Sequence, residues 1–256
     1  MTMLFAVDIG NTNTVIGIFE DEKLKKKFRL STNPFETSDE ISIKLSGLIG
    51  MAGIETSLIT DVIISSVVPS MTGHYVALSR ETFGHEPLIV GPGLKTGISI
   101  HYDNPKEVGA DRVANSVGGV KLFGSPLIIV DLGTAITFDA ISEKGDYMGG
   151  AIAPGIETSL SSLSKKAAQL PQVSISLPRK VIGKNTIQSM QSGTAYGFAG
   201  MIETIVERMK GEIGGEPKVV ATGGQSELLK DLCTCIDEIS PDLTLYGLYR
   251  IYLLNK

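Results

Sequence analysis

Two short segments of the chain carry residue types that bind phosphate, and both follow an apolar run. They share the pattern Asp-x-Gly-x-Thr, with the sequences Asp8-Ile9-Gly10-Asn11-Thr12-Asn13-Thr14 and Asp131-Leu132-Gly133-Thr134-Ala135-Ile136-Thr137. We interpret each segment as the turn of a β-hairpin, because Gly, Asn and Thr favour chain reversal between strands. Backbone N–H groups and hydroxyls that converge at such a turn suit phosphate oxygens. The acid at the strand end can hold a cation, or a water bound to one, beside the phosphates.

The spacing of the two segments gives them more weight than either has alone. A single segment of this kind is also typical of an ordinary polar turn, but the second follows the first after nearly half of the 256 residues. A strand, an Asp-x-Gly-x-Thr turn and a strand that recur at half-chain spacing predict a duplicated domain. Alternating strand and helix patterns predict an α/β fold. We place the domain boundary near the helix that begins at Ala110, with domains over 1–115 and 116–256.

Local patterns define several elements around these turns. The segment from Thr37 to Glu40 has the spacing of a capping box at a helix start. Asn185 is predicted to cap a long helix that runs toward Lys210. That helix is rich in small residues, which permit close approach of another element, from the same chain or from a second one: Gly193, Ala195, Gly197, Ala199 and Gly200.

A further glycine-containing turn follows the strand over 218–221. The sequence there is Thr222-Gly223-Gly224, and a flat ring such as that of a nucleotide base can approach a backbone of this kind closely. A plain turn between a strand and a helix has the same features, so both interpretations stay open.

A third segment, Gly109-Ala110-Asp111-Arg112, combines a carboxylate and a guanidinium at a predicted helix start, just after a polar loop. Phosphoryl transfer to an alcohol needs a group that takes up the hydroxyl proton, and Asp111 is a candidate for this role. Arg112 offers two parallel N–H donors that suit a carboxylate or a phosphate. An acid at a helix N-terminus with a surface ion pair has the same sequence, so these four residues alone do not decide between the two.

Composition and charge argue against several classes of protein. With 23 basic and 28 acidic residues the net charge is −5, which argues against a general nucleic-acid-binding surface. No apolar run reaches membrane-spanning length, and no basic segment precedes the first apolar run as in a signal peptide. The only cysteines, Cys233 and Cys235, stand two positions apart, which argues against a disulfide between them. We therefore expect a cytoplasmic protein that binds neither membrane nor nucleic acid.

The three segments, which begin at Asp8, Gly109 and Asp131 in their order along the chain, resemble those of a known family. Essentially the full chain is similar to the type III pantothenate kinases, which belong to the superfamily of actin, sugar kinases and heat-shock chaperone ATPases. The resemblance implies an α/β fold of two duplicated actin-like (ribonuclease H-like) domains with a nucleotide cleft between them. It also implies ATP-dependent phosphorylation of pantothenate to 4′-phosphopantothenate, the first step of coenzyme A biosynthesis.

The same resemblance implies roles for individual residues. The residues that would contact ATP are Asp8, Ile9, Gly10, Asn11, Thr12, Asn13, Thr14, Val15 and Thr134. Those that would bind pantothenate are Tyr102, Gly109, Ala110, Asp111, Arg112 and Thr186, with Asp111 as the catalytic general base. Asp8 would lie near Mg²⁺, and Asp131 would bind a monovalent cation, K⁺ or NH₄⁺. The family also implies a homodimer with a shared active site, to which the partner subunit supplies the threonine that matches Thr186.

Two other functions are compatible with the phosphate-binding turns. One is a different small-molecule kinase of the superfamily, acting on a sugar or on acetate. The Gly-Ala-Asp-Arg segment argues against it, because that segment is far more specific than Asp-x-Gly-x-Thr. The other is a non-enzymatic ATP-binding protein such as a chaperone, a filament protein or a regulator. Strong stimulation of ATP turnover by a small acceptor would distinguish an enzyme from such a protein.

Overall fold

The computed structural model of the chain describes residues 3–167 and 169–256. The strands are β1 (Met3–Ile9), β2 (Asn13–Glu20), β3 (Lys23–Ser31), β4 (Ile59–Ser66), β5 (Leu88–Ile89), β6 (Leu127–Leu132), β7 (Ala135–Ile141), β8 (Tyr147–Pro154), β9 (Lys218–Thr222) and β10 (Glu238–Ile239). The α-helices are α1 (Ser38–Met51), α2 (Pro69–Leu78), α3 (Ala110–Phe123), α4 (Ile156–Lys166), α5 (Thr186–Ile213), α6 (Ser226–Leu229) and α7 (Leu243–Asn255). Short helical turns cover Thr56–Leu58, Ser79–Phe83 and Pro105–Glu107.

The chain forms two compact units. The first unit comprises the residues up to Ile98, Asp103–Gly118 and Leu243–Lys256, and the second comprises Ser99–Tyr102 and Gly119–Asp242. By this division the C-terminal helix α7 groups with the first unit. The domains over 1–115 and 116–256 stay a prediction.

Each unit contains a five-stranded sheet, and the two sheets have equivalent strand orders. The order is β3-β2-β1-β4-β5 in the first unit and β8-β7-β6-β9-β10 in the second. The first three strands of each unit, β1 to β3 and β6 to β8, pair antiparallel, and the other strand pairs in both sheets are parallel. The central strand, β1 or β6, is the one that leads into an Asp-x-Gly-x-Thr segment. The predicted α/β fold and its duplication are therefore confirmed.

One face of each sheet packs against helices in a hydrophobic core. In the first unit, alternate residues of β1 meet one side of α1, and the buried residues include Phe5, Val7, Ile9, Ile41, Leu45 and Ile49. In the second unit, β6 and β7 meet α4 and α5, and the buried residues include Ile128, Val130, Phe138, Leu160, Ile202 and Val206. Residues two apart along a strand, or three or four apart along a helix, lie on one face of the element, and here that face is buried in the core.

Helix α7 packs on the first sheet from the side opposite to α1. Phe19 of β2 is fully buried on this opposite side of the sheet, and its ring stacks on that of Tyr249 with the centroids 4.9 Å apart. Most apolar side chains of α7 up to Tyr252 are buried, including Leu243, Leu245, Leu248 and Ile251, whereas Leu253 and Leu254 are exposed. Gly247 lets α7 approach α3, because a Cβ atom at this position would collide with the carbonyl oxygen of Ala114. None of the sequence patterns described above predicts this helix.

The predicted helix caps are confirmed. Thr37 accepts a hydrogen bond from the Glu40 N–H group, and the Glu40 carboxylate accepts one of 2.8 Å from the Thr37 N–H group, which completes the capping box of α1. Asn185 accepts a 2.9 Å hydrogen bond from the N–H group of Gln188 and caps α5. This helix ends at Ile213, a little beyond the predicted end.

The cysteines and the helices also bear on the classes of protein considered above. Cys233 and Cys235 are free thiols, as expected, and burial raises the pKa of Cys233 to about 12. Within residues 3–167 and 169–256, no helix has both the length and the apolar character needed to cross a membrane.

We expect Gly247→Ala to destabilise the protein strongly, because the added methyl group overlaps the α3 backbone. Overpacking of this kind costs about 1–3 kcal/mol or more of unfolding free energy. Gly47→Ala is the matched control, since Gly47 lies in α1 with no described atom within 4 Å of an added Cβ. The control should gain up to about 1 kcal/mol from helix propensity. Urea unfolding measures both, and an unchanged midpoint for Gly247→Ala would contradict the close packing of α7 on α3.

Candidate active site

The first predicted phosphate-binding turn connects β1 to β2. The two strands pair from Met3–Glu20 to Ile9–Thr14, and the Gly10 N–H group donates a 3.1 Å hydrogen bond to the Asn13 carbonyl. The side chains at the tip are exposed: Asn11, Thr12 and Asn13. Asp8 and Val15 pair across the hairpin and are partly buried. The turn therefore offers polar side chains and backbone groups at its tip, as the sequence predicts.

Two of the residues predicted to contact ATP direct their side chains into the protein. Ile9 belongs to the hydrophobic core, and Thr14 is only 1% exposed. The Thr14 hydroxyl lies 2.9 Å from that of Thr32 and also forms a hydrogen bond with Tyr75. Burial raises the pKa of Tyr75, and the hydrogen bond with Thr14 opposes this shift. Any contact of Ile9 or Thr14 with a nucleotide would thus use backbone atoms, and Thr32 and Tyr75 support the turn without any signal in the sequence.

The Gly-Ala-Asp-Arg segment forms the start of α3. The Val113 N–H group donates a 3.1 Å hydrogen bond to the Gly109 carbonyl, and the Arg112 N–H group donates one of 2.8 Å to Asp111 Oδ1. A Cβ atom on residue 109 would collide with Asp111 Oδ1, so only glycine permits this position of the carboxylate. Arg112 is buried.

The environment of Asp111 favours the protonated carboxyl group. Burial raises the pKa of Asp111, and this effect outweighs the Arg112 N–H hydrogen bond and the Arg112 guanidinium charge, which both lower it. A carboxylate whose pKa is raised toward neutral pH is a stronger base than an ordinary aspartate. The side chain remains partly exposed, so it is accessible to a substrate.

Val67 connects this helix start to the first turn. Its N–H group donates a 3.0 Å hydrogen bond to the carbonyl of Ile9. A Cβ atom on Gly109 would lie 3.5 Å from Val67 Cγ1, so the two segments meet at this residue. The first unit therefore brings together the predicted phosphate-binding turn and a carboxylate with a raised pKa.

The second predicted turn connects β6 to β7 and is held against the start of α4. The Thr134 carbonyl accepts hydrogen bonds from the Gly155 N–H group, at 3.1 Å, and from the Thr158 hydroxyl, at 2.8 Å. The Thr134 side chain is exposed at the tip. This turn is thereby fixed by its backbone while its side chain stays accessible.

Asp131 lies in a row of oxygen-bearing side chains across the second sheet. Its register partners are Thr137 on β7 and Thr222 on β9. Directly paired residues on adjacent strands share one face of a sheet. The Thr137 hydroxyl is buried and has no hydrogen-bond partner among the residues that the structure describes. A carboxylate with one or two hydroxyls is a ligand set that suits a hard cation such as K⁺.

Gly223 brings the next turn against this row of oxygens. It has a φ of +89°, and a Cβ atom there would lie 2.5 Å from Asp131 Oδ1. Its carbonyl accepts a 2.8 Å hydrogen bond from the Ser226 hydroxyl. The backbone of Gly223 thus lies close to the Asp131 carboxylate, and the approach of a flat ring to this turn stays a prediction.

The remaining predicted residues, Tyr102 and Thr186, lie apart within the second unit. Tyr102 is partly buried beside β8, whereas Thr186 is exposed at the first position of α5. Thr186 lines an open recess of about 580 Å³ together with Pro171, Asn185, Ile187, Gln188 and Gln191. Tyr102 and Thr134 are not among the residues that line it.

We expect Asp111→Asn to fold at least as stably as the parent at neutral pH. An acid whose pKa is higher in the folded than in the unfolded state costs no stability below its unfolded pKa of about 3.9. As the pH rises from that value to the folded pKa, the loss of unfolding free energy grows, and above the folded pKa the full loss remains. A neutral asparagine at this position removes the loss. Melting temperatures from about pH 4 to pH 8 measure the difference, which should vanish at the acid end. Asp231→Asn, at an exposed position, is the control; a large loss for Asp111→Asn at neutral pH would contradict this environment.

Comparison with protein families gives one match over most of the chain. Residues 4–208 match the family model described as Type III pantothenate kinase. A protein of Geotalea daltonii named Type III pantothenate kinase is 50% identical over 254 residues, which cover 99% of both chains. One of the same name from Moorella thermoacetica is 47% identical over 253 residues, which cover 99% of this chain and 100% of the relative.

More distant solved structures share the fold. A Campylobacter jejuni protein described as a conserved Baf family transcriptional activator aligns with a TM-score of 0.63 at 20% identity, over 98% of both chains. An inorganic polyphosphate/ATP-glucomannokinase from Arthrobacter aligns with a TM-score of 0.52 at 14% identity, over 99% of both chains. At such identities the likeness concerns the fold alone. The family model matches most of the chain, and these two relatives are 50% and 47% identical to it over nearly its full length. The chain therefore belongs to the type III pantothenate kinase family.

Proposed function

We propose that the chain transfers the γ-phosphoryl group of ATP to the hydroxyl group of pantothenate and so forms 4′-phosphopantothenate, the first step of coenzyme A biosynthesis. Membership of the family supports the substrate. The observation that carries the chemistry is the position of Val67, which bonds the Ile9 carbonyl and would lie 3.5 Å from a Cβ on Gly109, so that the predicted phosphate-binding turn and the segment of Asp111 are neighbours. As in the sequence-based expectation, such an enzyme would act in the cytoplasm.

In this proposal Asp111 is the general base. Its carboxylate takes the proton of the acceptor hydroxyl while the hydroxyl oxygen attacks the γ-phosphorus, and ADP leaves. The raised pKa of Asp111 suits this role because it brings the group closer to neutral pH. The Arg112 guanidinium suits the carboxylate of pantothenate, and Tyr102, Gly109 and Ala110 would complete the contacts on this substrate.

The two turns would bind ATP in different ways. In the first, the exposed residues Asn11, Thr12 and Asn13 face the phosphates, while Ile9 and Thr14 hold the turn from inside. In the second, Thr134 contacts the nucleotide, and the Asp131 row would hold K⁺ or NH₄⁺. Mg²⁺ near Asp8 and the monovalent cation would neutralise the charge that develops on the transferred group.

We further propose that the enzyme is a homodimer, and the surface of α5 supports this. The small residues of α5 could have been explained by tight packing within the chain. At Gly193, Gly197 and Gly200, however, no described atom lies within 4 Å of an added Cβ. These glycines leave an open surface on which a second helix could approach closely.

The surroundings of Thr186 support the same interface. Large apolar side chains there face water: Val181 is 61% exposed, Ile182 76% and Ile187 49%. Clustered exposed apolar residues are typical of a surface that another protein covers. In the proposed dimer Thr186 of one subunit completes the pantothenate site that contains Asp111 of the other.

The proposed reaction is tested by ADP release with pantothenate, glucose, acetate or no acceptor. We expect strong stimulation by pantothenate alone, and a product heavier by one phosphoryl group in mass spectrometry. Asp111→Asn should bind ATP normally but lose about 10²–10⁴ in turnover, the usual size of a general-base contribution. Asp231→Asn should keep full turnover. Phosphorylation of glucose or acetate but not pantothenate would favour the other kinases, and no stimulation by any acceptor would favour a regulator.

A requirement for a monovalent cation is the second expectation. Replacing K⁺ by Na⁺ or Tris at constant ionic strength should lower the rate, because Asp131 would otherwise repel the phosphates of ATP. Thr137→Val removes the buried hydroxyl at nearly constant volume and should raise the K⁺ concentration for half-maximal rate by about tenfold. Full activity without K⁺ or NH₄⁺ would contradict the proposed site at Asp131.

The shared site is tested by mixing two inactive variants, Asp111→Asn and Thr186→Arg. In a mixed dimer one site carries both lesions and the other carries neither. Random reassortment makes about half of the dimers mixed, so roughly a quarter of the parent activity should return. If each site lay within one chain, mixing would restore nothing, and a silent mixture with confirmed subunit exchange would exclude the shared site.

A further inference from the structure

The segment that carries Tyr102 pairs with the edge of the second sheet through the backbone of Tyr147, and the His101 ring of this segment lies 3.6 Å from the Asp146 carboxylate. The Tyr147 N–H group donates a 2.9 Å hydrogen bond to the Ser99 carbonyl, and the Tyr147 carbonyl accepts one of 2.8 Å from the His101 N–H group. Between them Ile100 and Tyr147 form an isolated parallel bridge. Because Tyr147 is the first residue of β8, this pairing extends the edge of the sheet by a single step.

The side chain of Tyr147 is fixed inside the unit. Its hydroxyl donates a 2.9 Å hydrogen bond to Asp139 Oδ1 on β7, and both residues are 0% exposed. A hydrogen bond to a carboxylate is stronger than one between neutral groups, and burial strengthens it further. The pair therefore holds Tyr147 in one orientation, and the backbone of Tyr147 holds the segment from Ser99 to His101.

Tyr102 rests directly against this arrangement. Its ring lies near that of Tyr147, with the centroids 6.3 Å apart and the planes at 53°. The other neighbour is Gly149, where a Cβ atom would lie 3.5 Å from Tyr102 Cε2. Gly149 has a φ of +123°, a backbone conformation that residues other than glycine rarely adopt. The Tyr102 ring thus has a platform made of one tyrosine ring and one glycine backbone.

We propose that Tyr147, oriented by Asp139, is a positioning residue that fixes the location of Tyr102 for the acceptor substrate. The substrate part rests on the proposed function, in which Tyr102 contacts pantothenate. The positioning part does not, since it concerns only contacts within the second unit. Tyr147 itself is fully buried, so it acts through Tyr102 and not on the substrate.

The kinetic test uses Tyr147→Phe, which keeps the ring and the backbone hydrogen bonds but removes the hydroxyl. We expect the KM for pantothenate to rise about 3- to 10-fold, the equivalent of one lost hydrogen bond. The KM for ATP and kcat should stay within about twofold, because the first turn and Asp111 are untouched. Tyr252→Phe is the matched control: this mostly buried tyrosine also lies near an aspartate, Asp61, which together with burial raises its pKa, but it belongs to the first unit. It should leave the KM for pantothenate unchanged.

A spectroscopic test decides the positioning without any assay of activity. The chain contains no tryptophan, so Tyr102→Trp introduces a single fluorophore at the position of interest. Acrylamide quenching of this fluorophore should increase about twofold when Tyr147→Phe is added, and should not change when Tyr252→Phe is added. Melting curves establish that the variants compared are folded.

A second pair of variants covers the case in which Tyr147→Phe does not fold. In the Tyr102→Trp protein, His101→Pro deletes the N–H group that bonds the Tyr147 carbonyl, whereas His101→Ala keeps it. Residue 101 is exposed, so neither change disturbs a core. Quenching should increase for the proline variant only.

The outcomes separate this inference from the proposed function. Increased quenching in Tyr147→Phe, or in His101→Pro, supports the positioning role, and unchanged quenching in a folded variant overturns it. If quenching increases while the parent protein phosphorylates no pantothenate, the proposed substrate is wrong and the positioning role stands. A kcat loss in Tyr147→Phe with an unchanged KM for pantothenate would overturn the role of Tyr147 toward the acceptor.

Discussion

The site depends on a carboxylate that is held partly out of water at a helix start. Gly109 has no side chain, and this leaves the space that the Asp111 carboxylate occupies. Burial then raises the pKa of Asp111, while the Arg112 N–H group and guanidinium keep an ionised form accessible. This balance between desolvation and compensation is typical of groups that exchange protons in catalysis. Val67 lies beside Gly109 and bonds the carbonyl of Ile9 at the end of β1, so the position of this carboxylate is tied to that of the first turn.

The duplicated sheets use equivalent strands for different purposes. Both place an aspartate near the end of a central strand, followed by a tight turn. In the first sheet, the hydroxyl of Thr14, the threonine after the turn, is hydrogen-bonded to that of Thr32. In the second, the buried hydroxyl of Thr137 stands beside Asp131 with no hydrogen-bond partner in the described part of the chain. One repeat therefore stabilises its turn from within, whereas the other places a buried threonine hydroxyl beside its aspartate.

Features encoded within a few residues were predictable from the sequence. The two turns, the capping box at Thr37 and the cap at Asn185 depend on local hydrogen bonds, and all four are present. Contacts between distant residues were not predictable. Apolar residues are spread around helix α7, so its sequence has no single face that reveals its neighbour, and its approach to α3 depends on Gly247 meeting Ala114. Asp139 was visible only as an acid within an apolar strand, and its bond to Tyr147 requires the strand register.

The most direct test of the central claim, that Asp111 is the general base, is the pH dependence of kcat/KM for pantothenate. We expect an acid limb whose apparent pKa lies above the value of about 3.9 for an unperturbed aspartate. The residual activity of Asp111→Asn should lack this limb, since no carboxylate then titrates at that position. The same acid limb in the parent and in Asp111→Asn would contradict the claim and assign the titration to another group.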